Sequence, residues 1–237
     1  MPSSGTYLWS PDLAEMVDEA FERCKVDPAS LAASHLISAR RSMNLMLTYW
    51  ATKDNQDYRI DRVNDFALVQ GTQEYTVDPD TDGRIIDING MMLKRAGVET
   101  TLYPMARDEW LEIPEKDTQG RPSRYFADKR NDSSVVISLW PVPENSTDTL
   151  TMDVMRKHQD AGFASNEPDI PYYMREAFAS GLAAFLGEKF APEPILPRLI
   201  ARANDAFDNA NGSQRVRADV TIVPAASYRF RRGRRAR

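Results

Sequence analysis

The hydrophobic period changes twice along this 237-residue chain, and that double change limits the folds open to it. From Ser10 to about Lys53 apolar residues recur at three-four spacing. From Tyr58 to Arg156 they fall in short runs rich in Val, Ile, Thr and aromatics. From about Asp169 the three-four spacing returns. Three-four spacing collects side chains on one helix face, and short β-branched runs between turn residues mark strands. The order predicts an α+β fold: a helical bundle formed by the N- and C-terminal helices, an inserted antiparallel β domain, and an extended C-terminal arm. The predicted divisions are 1–56 and 161–211 for the bundle helices, 57–160 for the β domain and 212–237 for the arm.

Local signals refine this plan. Ser10-Pro11 reads as a helix cap followed by proline at the first helical position, with Leu13, Met16, Val17, Ala20 and Phe21 as the apolar face. Asp27-Pro28 repeats the start signal for a second helix to about Lys53, with Leu36, Ala39, Met43, Leu47 and Trp50 on one stripe. Strands are predicted over 60–69, 74–77 and 84–94, the last with Asn89-Gly90 as a turn or a bulge. A short helix follows over 107–113. The runs 122–127, 135–140 and 149–156 read as three antiparallel strands, the middle one ended by Pro141 and Pro143. A helix from Asp169 is rich in small residues (Ala177, Ala179, Ser180, Gly181, Ala183, Ala184), which allow another helix to approach closely. Pro192, Pro194 and Pro197 separate it from a last helix to about Ala210.

Signatures of catalysis and of cofactor or metal binding are absent from the sequence. There is no Cys/His cluster for zinc, no Gly-rich phosphate loop ending in Lys-Ser or Lys-Thr, and no serine in a nucleophile elbow. His35 and His158 read as surface or partly buried histidines. Cys24 lies between Arg23 and Lys25, which can lower a thiol pKa, though at a helix end an inert thiol is the commoner case. Asp78, Asp80, Asp82 and Gly83 faintly resemble a calcium loop, but Pro79 interrupts it and Asn89 stands where the Glu is needed; a solvated hairpin turn is the better account. One cysteine cannot form an internal disulfide, which suits a reducing cytoplasm. No apolar run reaches the ~20 residues of a membrane span, and the first five residues do not begin a signal peptide.

Charge is divided unevenly. From Gly212 on there are eight Arg and one acid, Asp219, so the tail carries about +7 and the remainder about -12 of the net -5. Six of the last nine residues are Arg, interleaved with Tyr228 and Phe230. Such a tail can bind nucleic acid by charge and stacking, dock on protein, or solvate an unfolded arm; composition leaves all three open.

Several stretches taken in order are similar to the head-to-tail adaptor proteins of tailed bacteriophages, also called tail accessory or connector proteins. These are HLISARRSMNLML (35–47) closed by Trp50, VQGTQEYTV (69–77), RDEWLEI (107–113) with GRPS (120–123), LWPVP (139–143), DIPYYM (169–174) with LAAFLGEK (182–189) and APE (191–193), and the Arg-rich end. The resemblance covers nearly the whole chain. It implies a non-enzymatic ring, commonly of twelve copies, beneath the portal protein at the head-tail junction of the virion, assembled in the host cytoplasm. The ring would extend the DNA channel, pass genomic DNA without sequence-specific binding, and present a surface to tail or nozzle proteins. It also implies a portal-docking arm. Its contact residues here would be Val220, Ile222 and Val223, a short β-prone run, and Tyr228, Arg229, Phe230, Arg231, Arg232, Arg234, Arg235 and Arg237. The alternative is a nucleic-acid-binding protein that uses the Arg-rich tail, which requires tight, strongly salt-sensitive DNA binding by the isolated chain.

Overall fold

Asp12 starts the first helix, α1 (Leu13–Arg23): its carboxylate accepts the Glu15 N–H at 2.9 Å. The start thus falls two residues after the predicted Ser10, because the carboxylate of Asp12 reaches an otherwise unpaired N–H of the first turn. Asp27 caps only a 3-10 turn, Pro28–Ser30, and Leu31 is extended. The second helix, α2 (Ala33–Lys53), begins after that break. There His35 Nδ1 accepts the Ala32 N–H at 3.0 Å, a third-position side chain reaching back over the helix start. The computed structural model describes residues 5, 6, 9–53, 57–77, 85–129, 134–162 and 164–213.

The β region then gives β1 (Ile60–Ala67), β2 (Glu74–Val77), β3 (Ile85–Arg95), β4 (Val98–Pro104), a short helix α3 (Arg107–Glu112), β5 (Gln119–Gly120), β6 (Arg124–Asp128), β7 (Val135–Trp140), β8 (Val142–Pro143) and β9 (Thr149–Arg156). Helices α4 (Arg175–Phe190) and α5 (Leu196–Ser213) close the described chain. The α+β reading holds: among the described residues there are five α-helices and an antiparallel-dominated seven-stranded sheet.

Strand order in that sheet is β1-β9-β3-β4-β6-β7-β2, with β5 and β8 as a separate parallel pair. One predicted grouping changes. β6 and β7 are antiparallel neighbours, but β9 lies between β1 and β3 instead of beside β7. β9 makes antiparallel ladders with β1 on one edge and β3 on the other, so both rows of its backbone groups are paired, which an edge place beyond β7 would leave half open. Asn89-Gly90 proves to be a bulge: the β3–β9 register shifts between Ile88 and Gly90. β4 was not predicted. It pairs antiparallel with β3 after the turn at Ala96-Gly97, where Gly97 has φ +80°, and it pairs parallel with β6 through Tyr103 and Pro104.

Two hydrophobic clusters result. One joins the helices through Phe21, Met43, Met46, Trp50, Phe178, Leu182 and Leu186. The other fills the sheet with Leu68, Ile85, Leu93, Ile137, Leu139, Leu150 and Met152. Helix α4 is the centre of the first and packs against α1, α2 and α5. Its small residues Ala177, Ala179, Ser180, Gly181, Ala183 and Ala184 are all buried, so the close approach they allow is made inside this chain.

Candidate interaction surfaces

Helix α2 is apolar on two sides. Ala39, Met43, Met46, Leu47 and Trp50 face the bundle. Ile37, Leu45 and Tyr49 lie off that stripe and are 49–63% exposed, while Leu36, in line with the stripe in the first turn, is 50% exposed. The predicted stripe is therefore buried except at Leu36, which is exposed in the first turn of α2. An apolar groove of about 420 Å³ lies at this end of α2, floored by Leu13, Val17 and Met43 and rimmed by Leu36 and Ile37. Exposed large apolar side chains beside an apolar groove are a usual mark of a protein contact.

A second face is polar and fixed. The Glu176 carboxylate on α4 receives both terminal nitrogens of Arg23 from α1 at 3.0 Å and Nη2 of Arg202 from α5 at 2.8 Å. The Ser180 hydroxyl adds a bond at 3.0 Å. Hydrogen bonds from Arg23 above all, with those of Arg202 and Ser180, hold the Glu176 carboxyl down to about 2. This hub ties three helices across their outer rims.

Beside it runs a groove of about 720 Å³ whose walls include Trp9, Glu15, Asp18, Glu22, Tyr172 and Arg175. Trp9 and Tyr172 are 68% and 77% exposed. The Arg175 guanidinium carbon sits 5.3 Å from the Trp9 ring centroid and its nitrogens donate to the Trp9 carbonyl and to Ser10 Oγ.

A third set lies between bundle and sheet. Tyr58 Oη and His158 Nε2 share a hydrogen bond of 2.7 Å. Arg156 donates to Asp169 through both terminal nitrogens, and the Gln159 N–H adds a bond to the same carboxylate at 3.0 Å. Burial alone would raise the Asp169 carboxyl; these donors outweigh it and hold it below the ordinary carboxylate range. Arg59 is wholly buried here, with its three side-chain nitrogens making no hydrogen bond. Burial, then the positive Arg59, pushes the His158 imidazole down to about 4 from an ordinary 6.5. A histidine depressed on folding contributes stability that is complete above 6.5 and is lost as pH falls toward 4. Urea unfolding should therefore show stability falling between pH 6.5 and 4.5, by up to about 3 kcal/mol. In His158→Gln that slope should flatten; an unchanged slope would place the titration elsewhere.

The remaining predicted residues divide as follows. His35 caps α2 and meets Phe21 and Phe190 edge-on, with ring centroids 6.2 and 5.2 Å away. Cys24 is buried and bonds the Ala183 carbonyl at 3.2 Å; burial pushes its thiol up to about 11, opposite to the lowering that Arg23 and Lys25 could have caused. Asp78, Asp80, Asp82 and Gly83 lie outside the described residues, as do Val220, Ile222, Val223 and the arm from Tyr228 to Arg237. Among the described residues no three His, Cys, Asp or Glu side chains group as metal ligands, and no helix is long and apolar enough to cross a membrane. The sequence reading missed Arg59 and the groove beside α1. Arg59 follows Tyr58 at the period change, and nothing local marks it for burial.

The described surfaces are thus an apolar helix face, an aromatic and acidic groove, and polar groups held in ion pairs. The adaptor resemblance of the sequence is met by a family model that matches residues 11–231, which makes the class a structural adaptor of bacteriophages. The chain belongs to the SU10 adaptor protein family. No curated protein matches it.

Proposed function

We propose that copies of this chain form a closed ring beneath the phage portal, at the head-tail junction of the virion. The ring, of twelve copies on the family resemblance, extends the DNA channel and offers its far side to tail or nozzle proteins. The observation that carries self-association is the exposed apolar face of α2, with Ile37 63% and Leu45 56% exposed. A ring of many copies needs two different surfaces on each copy, because a self-complementary contact closes at a dimer. The α2 face of one copy would meet the α4–α5 side of the next, where Ile200 is 40% exposed. The acidic body, about -12 before the tail, suits a channel wall, since it repels phosphate and lets DNA slide. The basic arm, Val220 to Arg237, would reach into the portal.

The test is the double substitution Ile37→Glu with Leu45→Glu. Both positions are exposed, so the subunit should keep its fold by circular dichroism. Rings on purified portal, counted in negative-stain images, should be lost. Normal rings from the folded double variant would remove α2 from the contact, and a two-fold dimer as the sole assembly would remove the ring.

A further inference from the structure

We propose that the groove beside α1 holds the chain's own C-terminal arm, residues 224–237, while the subunit is free. The inference rests on the portal-docking reading only for what later displaces the arm.

The groove has two chemistries side by side. Glu15, Asp18 and Glu22 stand on one face of α1 at spacings of three and four, all exposed and without an ion pair among the described residues. Trp9 and Tyr172 flank them, 68% and 77% exposed. The arm carries the complements: six Arg within 229–237, with Tyr228 and Phe230 among them. The groove already shows that it takes a guanidinium, because Arg175 stacks over Trp9 at 5.3 Å.

Chain geometry favours the same molecule as donor. Leu196 and Leu199 sit against Gly187 while Arg202 bonds Glu176, so α5 runs antiparallel to α4 and touches the turn at Tyr172–Met174. The arm therefore leaves the body at the Tyr172 end of the groove. The 24 residues after Ser213 can span at most about 80 Å, well beyond the groove. Tethering supplies an effective concentration on the order of millimolar, so several weak exposed ion pairs suffice to hold the arm. A parked arm also keeps its six Arg away from nucleic acid until the portal offers a better site.

Trypsin cleavage of the full chain tests this, with cleavage at the arm's arginines followed by intact-mass spectrometry against a synthetic peptide of residues 214–237. In the free wild-type chain the arm should be cut about tenfold more slowly than the peptide. The combined variant Glu15→Gln, Asp18→Asn, Glu22→Gln should bring the rate up to that of the peptide, as should Trp9→Ala. Raising salt from about 50 to 500 mM should release the wild-type arm without changing the peptide's relative rate. A wild-type arm cut as fast as the peptide overturns the proposal, and so does a combined variant still protected like wild type. Protection that grows with protein concentration overturns the same-chain assignment in favour of a second copy. Portal co-sedimentation is a separate experiment: its failure with protection intact would sink the portal reading alone.

Discussion

Gly181→Leu should cost more than about 3 kcal/mol and dismantle the helical bundle, because α4 and α2 touch at this point with no space for a side chain. A Cβ placed there would stand 2.8 Å from Met46 Sδ and 3.0 Å from Trp50 Cζ2. Both neighbours are buried, and Trp50 is itself pinned by Phe178 and Phe207 at centroid distances of 6.2 and 5.0 Å. Leucine adds three further carbons beyond that Cβ, so α4 must move off α2 or the side chains must leave their rotamers. Gly181→Ala should be much milder, within about 1 kcal/mol of wild type. The flexible Met46 thioether can yield, and alanine gains helix propensity of about 1 kcal/mol over glycine. Guanidinium unfolding of the two variants measures the difference. Equal, small effects would mean that the α2–α4 contact at Gly181 is looser than a Cβ-to-Sδ separation of 2.8 Å implies.

Asp148→Ala is expected to be the most damaging single change in the sheet, at about 2–4 kcal/mol. Asp148 is 1% exposed and receives Arg95 Nε at 2.9 Å and Nη2 at 2.6 Å, while Arg95 Nη1 also holds Glu144 at 2.7 Å. Asn145 Oδ1 accepts the Asp148 N–H at 3.1 Å, and the Asp148 carbonyl receives the Leu68 N–H at 3.2 Å. The pair thus joins the end of β3 to the turn before β9 and to the end of β1. Breaking a buried pair by removing one partner leaves the other charge uncompensated, typically at about 3–5 kcal/mol. The Arg95 side chain is 28% exposed and can partly turn to water, which lowers the expected loss. Asp148→Asn should lose less, since the amide oxygen can still accept one bond. An Asp148→Ala chain as stable as wild type in urea would show that the pair contributes no net stability.

Both changes act on contacts between elements, which the sequence shows only in part. Periodicity placed α1, α2, α4 and α5 and most of the strands, because amphipathic spacing is a local signal. Glu74–Val77, Val135–Trp140 and Thr149–Arg156 fall where the runs of Val, Ile and Thr put them. Pairing is not local: nothing in the residues of β9 says that β1 and β3 flank it 50 or more residues away in sequence, and register follows from which faces are buried. β4 was missed because its exposed strand, with only Leu102 buried, lacks a clear alternation. The closeness of α4 to α2 was legible as small residues, but whether those served the subunit or its neighbours was not. The interaction surfaces were half visible. Leu36 looked like core by spacing and proved to be surface, and the groove of Trp9 and Tyr172 joins residues 163 positions apart.

The adaptor reading stands or falls on portal binding, which sedimentation of the purified chain with purified portal rings measures directly. The full chain should co-sediment with the portal and appear beneath it as a closed ring, and a chain ending at residue 223 should remain folded and stay unbound. A full chain that stays in the supernatant would contradict the account; a truncated chain that still forms the ring would move docking from the arm to the helical body.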